Sequence, residues 1–203
     1  MVILGAGASS RMGRPKLLLP WNGSTVIGQL ISQWRSLGVN QIVVVQRPDD
    51  LPLAAELDRL QHPPADRIVN PHPERGMFSS IVCAANWSGW HDDLMRVAIA
   101  LGDQPHLRTE TLRRLLDFSA LNSDAICQPA YDGRSAHPVV LPKAAFEALR
   151  MTPATTLKEF LKLIPSRSVQ HVINDPGLTL DLDTPEDYIQ SLRFITSHEK
   201  TGP

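Results

Sequence analysis

What the sequence lacks narrows it first. It has only two cysteines in 203 residues, Cys83 and Cys127. They are too far apart for a metal-type pair and too few for a disulfide framework. Two buried apolar thiols in a reducing compartment are the expectation. There is no basic excess: 20 Lys and Arg stand against 21 Asp and Glu. A general nucleic-acid binder needs such an excess to neutralise phosphates, so no nucleic-acid partner is expected. No apolar run is long enough to cross a bilayer, and no membrane association is expected. The stretch Met1-Val2-Ile3-Leu4-Gly5 carries no basic leader, which predicts a cytoplasmic protein without a signal peptide. Repeats, low-complexity tracts and domain-boundary signals are also missing. The reading is one domain over residues 1–196 with a frayed tail over 197–203.

What is present is an alternation of short apolar runs and helix-period segments. Val2 to Leu4, Gln41 to Val45, Arg67 to Asn70 and Arg96 to Leu101 read as strands. The second and fourth are continuously apolar, as in a parallel sheet covered on both faces. Further strands are predicted at Ala125 to Cys127 and His137 to Leu141. Between Thr25 and Leu37, the residues Val26, Ile27, Leu30, Ile31, Trp34 and Leu37 fall on one helical face, and Gly38 supplies a stop. Other helices are predicted at Leu51–Leu60, Met77–Trp87, Thr109–Phe118 with Thr109 as N-cap, Lys143–Arg150, Leu157–Leu163 and Pro185–Phe194. This order predicts an α/β class, a three-layer α/β/α sandwich with a mainly parallel sheet. Ligands of such sheets bind beyond the carboxyl ends of the strands. Chemistry is therefore expected just after Leu4, Asn70 and Leu101.

The loop after Leu4 reads Gly5-Ala6-Gly7-Ala8-Ser9-Ser10-Arg11-Met12-Gly13-Arg14-Pro15-Lys16. Small residues let backbone N–H groups approach a polyphosphate, and three cations follow within six residues. A dinucleotide fingerprint would need glycine at Ser10 and an acid after Val45, where Gln46-Arg47 stand. A P-loop would need Gly-Lys-Ser or Gly-Lys-Thr, but Gly13 precedes Arg14, and Lys16 precedes Leu17. Neither fits. Leu4, Gly5, Ala6, Gly7, Ser9, Arg11 and Lys16 are the candidate triphosphate-binding residues, with Arg11 and Lys16 as charge-neutralising catalytic groups.

After Leu101 come Gly102-Asp103-Gln104-Pro105. A carboxylate at a strand exit suits a hard cation, and magnesium commonly takes one or two carboxylates plus phosphate oxygens. Helix capping explains Asp103 poorly, because the next helix starts near Thr109. Asp181 and Asp183 lie on one side of an extended segment, and either can supply a second metal ligand. Thr184 to Asp187 reads as a helix start, with acids in the first turn. After Asn70, Gly76, Ser79 and Ser80 offer donors to a nucleoside, with helix capping the alternative for each serine. The remaining histidines, His62, His72, His91, His106, His171 and His198, show no ligand spacing and read as surface or loop residues.

The segment Leu4 to Lys16 resembles the signature loop of the MobA-like NTP transferases, L-A-A-G-x-S-x-R-M-G-x-x-K. Leu17-Leu18-Leu19-Pro20-Trp21 and Gly102-Asp103-Gln104-Pro105 are similar to the molybdenum cofactor cytidylyltransferase branch. Gly76 to Ile81 resembles the Gly-Met-Ser-x-Ser region that lines the nucleotide pocket. Gly133 to Val140 resembles the R-x-G-H-P segment near the acceptor, and Leu180 to Asp187 a D-x-D-T-P-E-D segment. The chain departs from the pattern at Gly5, where alanine is usual, and at Ala136, where glycine is usual. The resemblance implies a Rossmann-like fold of the nucleotide-diphospho-sugar transferase type. It implies a nucleotidyltransferase domain using Mg2+, with Asp103 and Asp183 as metal ligands. It implies CTP as donor and a phosphate-bearing acceptor such as molybdopterin, with a molybdoenzyme or its chaperone as a further partner. His137 is the acceptor-side candidate, a structural histidine being the alternative. Guanylyl or sugar-phosphate nucleotidyl transfer, and a nucleotide-binding accessory or chaperone protein, are the competing readings.

Overall fold

The computed structural model describes residues 1–199. Its strands, in chain order, are β1 (Val2–Leu4), β2 (Pro20–Trp21), β3 (Ser24–Thr25), β4 (Val43–Gln46), β5 (Arg67–Val69), β6 (Arg96–Leu101), β7 (Ile126–Tyr131), β8 (Arg134–Ser135), β9 (Val139–Pro142) and β10 (Ser168–Val172). The helices are α1 (Val26–Ser36), α2 (Leu51–Arg59), α3 (Met77–Asn86), α4 (Thr109–Leu121), α5 (Lys143–Ala148), α6 (Leu157–Leu163) and α7 (Pro185–Glu199). No helix among the described residues is long and apolar enough to cross a membrane.

An eight-stranded sheet runs β10-β7-β9-β6-β1-β4-β5, with β8 paired to β7. Strands β6, β1, β4 and β5 are mutually parallel, as are β7 and β10. Strand β9 is antiparallel to both β6 and β7 and lies between them. Strands β6 and β7 therefore point the same way, and their exits open at one end of the sheet.

Period-two alternation makes the three layers. Ile3 and Val44 face one cluster with α1, α2 and α4, through Ile27, Ile31, Leu53, Leu57 and Leu112. Val2, Val43 and Val45 face the other, with Phe78 and Ile81 of α3, Phe146 of α5 and Phe160 of α6. Both faces are covered, which is why these strands read as continuous apolar runs. Helix α1 starts where Thr25 Oγ1 accepts from the Gly28 N–H at 3.2 Å, and ends before Gly38, whose φ is +76°.

Several expected boundaries move. Thr109 is the first residue of α4 rather than its cap; Arg108 holds the cap position, without a side-chain capping bond. Tertiary contacts decide this: Arg108 Nε lies 3.1 Å from Asp175 Oδ2, and Thr109 Oγ1 accepts from Gln33 Nε2. Strand β9 begins at Val139, not His137, since Pro138 has no N–H to give the ladder. Strand β7 runs on to Tyr131, where β8 turns back along it. The short β2–β3 hairpin and the half-exposed edge strand β10 carry no apolar run and were not expected from the sequence. Helix α7 extends to Glu199, past Phe194, so residues 197–199 of the expected tail are helical. The rest of that tail, 200–203, lies outside the described residues.

Two histidines assigned to the surface are buried, His62 at 2% exposure and His106 at 1%. His106 Nε2 is 3.0 Å from the Gly177 carbonyl and its ring stands edge-on to Phe194. His62 closes α2, its N–H donating to Leu57 O and its carbonyl accepting from Arg67. Cys127 is buried, and Cys83 is only half-buried.

Candidate nucleotide site

The site is built at the carboxyl ends of β1, β4, β5 and β6. As β1 ends, the Gly5 N–H donates to Val45 O at 2.8 Å. A Cβ on Gly5 would stand 3.0 Å from that carbonyl and from the Leu17 side chain, so glycine at this position suits the close approach. The loop then turns through Ser9, whose φ is +51°. Ser9 O accepts from the Met12 N–H, and Ser9 Oγ accepts from the Lys16 N–H at 3.1 Å. Met12 is buried and anchors the loop. Ser9 thus acts on the loop's shape and fixes where Lys16 leaves it.

Strand β6 exits beside β1. A Cβ on Gly102 would come within 2.6 Å of Leu4 O, so the two exits meet only if this residue is glycine. Asp103 follows, and its carbonyl accepts from the Leu182 N–H at 3.1 Å. Leu182 is fully buried, which turns its neighbours Asp181 and Asp183 away from the core. Three distant segments are joined there. Lys16 Nζ lies 2.9 Å from Asp103 Oδ2 and 3.0 Å from Asp183 Oδ1, while Arg11 Nη2 lies 2.8 Å from Asp183 Oδ2. The side chain of Lys16 is 16% exposed and that of Arg11 69%, so the lysine contacts are the less screened by water. Burial works to lower the Lys16 pKa, but Asp103 and Asp183 outweigh it and hold the ammonium above its ordinary value.

A cleft of about 550 Å³ adjoins this cluster. Leu4 and the following loop residues Ala6 and Gly7 line it after β1, Gly102 and Asp103 line it after β6, and Gly76, Met77 and Ser80 line it at the start of α3. A second cavity, about 380 Å³, lies at the opposite ends of the strands, between Trp34, Trp90 and Arg96. It holds none of the expected residues, and the strand-exit rule favours the first cleft. Ser79 does not reach the cleft wall. Its Oγ accepts from Asn70 Nδ2 at 2.8 Å and sits 2.8 Å from Gly76 O, within the loop. Asn70 Nδ2 also reaches Ser80 Oγ at 2.9 Å, and Asn70 Oδ1 accepts from the His72 N–H. His137 is half-buried, with Nδ1 3.3 Å from the Ile99 carbonyl, and burial lowers its pKa. The structure gives it a structural contact. Phe78 points away from the cleft into the core against Phe160.

Sequence reasoning missed Arg47, Asn70 and Gln104. Arg47 lines the cleft with its Nε 3.1 Å from Asp50 Oδ2. Its place directly after β4, at the same sheet end, was the available signal. Gln104 Nε2 donates to Asp181 Oδ1 at 2.9 Å, a cross-chain contact that no local pattern reveals. No group of three or more His, Cys, Asp or Glu side chains among the described residues is placed to hold a metal ion. Asp103 and Asp183 offer two carboxylates, and Asp103 Oδ1 is buried without a hydrogen-bond partner. Two carboxylates bridged by one cation, with one oxygen of Asp103 left over, fit a magnesium-like ion that completes its shell from phosphates.

Residues 1–172 match the MobA-like NTP transferase domain. The chain belongs to the MobA-like NTP transferase family. As a MobA-like protein it is a nucleotidyltransferase, related to molybdenum cofactor cytidylyl- and guanylyltransferases. It is 26% identical to the molybdenum cofactor cytidylyltransferase of Escherichia coli K12 over 198 residues, covering 96% of each chain. It is 24% identical to a probable molybdenum cofactor guanylyltransferase of Bacillus mycoides KBAB4, covering 97% of this chain and 96% of that one. A crystal structure of Rv0371c in complex with manganese, from Mycobacterium tuberculosis H37Rv, superposes with a TM-score of 0.65 at 26% identity, over 95% of this chain and 96% of that one.

Proposed function

We propose that this nucleotidyltransferase moves CMP from CTP to a phosphate oxygen of a molybdopterin-type acceptor, releasing pyrophosphate. The observation that carries the reading is the contact of Lys16 with Asp103 and Asp183 beside the cleft at the strand exits. CTP as donor and molybdopterin as acceptor rest on likeness to the Escherichia coli enzyme and on the Gly-Asp-Gln-Pro motif.

The acceptor oxygen bonds to the α-phosphorus as the bond to the bridging oxygen of pyrophosphate breaks. A phosphate oxygen is already deprotonated at neutral pH, so no side chain has to remove a proton. The protein's work is positioning and charge neutralisation. Lys16 and Arg11 turn from the carboxylates to the triphosphate and stabilise the charge gathering on pyrophosphate. The backbone of Ala6 and Gly7 approaches the nucleotide, with Ser80 on the facing wall. Asp103 and Asp183 would hold Mg2+, which supplies further neutralisation of phosphate charge. Asp183 is the better partner than Asp181, because one cation, Lys16, already bridges it to Asp103.

Pyrophosphate release with molybdopterin, measured for each of the four triphosphates, tests the reading. CTP is expected to be the best donor. Asp103→Ala is expected to lower kcat by roughly 100-fold or more, as losing a preorganised charge contact does. A clear preference for GTP would replace cytidylyl by guanylyl transfer. Release unaffected by Asp103→Ala would remove Asp103 from the chemistry. Tight triphosphate binding with no turnover would favour an accessory role.

A further inference from the structure

The charges that the proposed chemistry uses are paired with one another. Lys16 Nζ stands between two carboxylates, 2.9 Å from one oxygen of Asp103 and 3.0 Å from one of Asp183. Arg11 takes the other oxygen of Asp183 at 2.8 Å. Two cations face two anions, and the ammonium lies where a cation shared by Asp103 and Asp183 would draw its charge. Nor does the lysine drift there on a loose tether. Its backbone N–H is fixed to Ser9 Oγ, and its side chain is mostly buried.

From this arrangement we infer that Lys16 is a specificity-determining residue that keeps a free divalent cation out, so that the ligand taken is the cation–triphosphate complex. The inference rests on reading the cleft as a triphosphate site. A divalent ion arriving alone meets an ammonium already paired with both carboxylates. To bind, it must take both carboxylates from Lys16 and leave the ammonium beside it without a partner. A triphosphate changes the balance. Its oxygens give Lys16 and Arg11 new partners, and the carboxylates are released together for the metal. The exchange is reciprocal: what the triphosphate does for the metal, the metal does for the triphosphate.

Mn2+ binding, followed by loss of the free-ion electron paramagnetic resonance signal, reads this without turnover. It is measured with and without α,β-methylene-CTP, corrected for the complex that forms in solution. In the wild-type protein, the nucleotide is expected to tighten Mn2+ binding by on the order of tenfold or more. Lys16→Met is expected to bind Mn2+ alone on the order of tenfold more tightly than wild type, and to lose most of the nucleotide's effect. Adding Asp103→Asn to Lys16→Met is expected to abolish that gain, which assigns it to this site. Lys16→Arg, keeping the charge, is expected to stay near the weak wild-type value.

Equal Mn2+ affinity in wild type and Lys16→Met overturns the inference and leaves the nucleotidyl-transfer reading standing. If Lys16→Met does not fold, the wild type decides alone: binding of Mn2+ and nucleotide without mutual effect overturns the inference. If no triphosphate binds, with or without Mn2+, the reading of the cleft falls and the inference with it.

Discussion

Asn70 shows how a single side chain can shape the wall of a cleft that it does not itself line. It is buried, and its amide joins Ser79, Ser80 and the His72 N–H. Asn70→Ala leaves these groups short of partners, which costs about 1–3 kcal/mol when the loss is buried. The expected result is a lower melting temperature and a raised KM for the triphosphate, with kcat less affected, because the wall carrying Ser80 shifts while Lys16 and Asp103 stay. Gly102 is less forgiving. An added methyl would meet Leu4 O at 2.6 Å, so β6 must part from β1. Gly102→Ala is expected to cost about 1–3 kcal/mol by overpacking, seen as a shift in the urea midpoint, and to lower kcat because Asp103 moves with it. Both sites were legible in the sequence as strand exits. What each residue touches was not, because those partners lie elsewhere along the chain.

Among the elements, α1 was the most legible. Val26, Ile27, Leu30, Ile31, Trp34 and Leu37 are expected on one face; the first five are buried, and Leu37, just past the last turn, is half-buried. Helical period is a local property, and here local and tertiary preference agree. Ile31→Ala is expected to cost about 2–5 kcal/mol, from lost burial and the cavity left behind, measured by denaturant unfolding with KM unchanged. The α4 boundary went the other way. Thr109 has good capping chemistry, but the salt bridge of Arg108 to Asp175 starts the helix one residue earlier than that chemistry alone would. Strand β9 is the larger surprise. A short apolar run states that a strand is buried on both faces and is silent on its direction, so the antiparallel insertion between β6 and β7 could not be read from Val139 to Leu141.

Over the whole molecule, His62 and His106 couple stability to pH. Burial pushes both below the ordinary histidine value of 6.5. The unfolded chain then binds protons that the folded chain does not, in the window from about 6.5 down to the depressed folded value. Stability is therefore full above that window and is lost as pH falls through it. Thermal melts are expected to show a falling midpoint from pH 7.5 to pH 5, and His106→Asn, which removes one of these titrating groups, is expected to flatten the slope. The same long-range view accounts for what the sequence left open at the site. Lys16 and Asp103 could each be singled out, but their contact spans 87 positions, and that of Lys16 with Asp183 spans 167.

That span has a consequence during synthesis. The last strand of the sheet ends at Val172, and the second carboxylate comes only at Asp183. A nascent chain with its sheet already threaded still has Lys16 paired on one side alone. The second side is filled only once the segment at Asp183 folds back and the Leu182 N–H reaches the Asp103 carbonyl, so the charge cluster is among the last parts of the molecule that a chain growing from its N-terminus can complete.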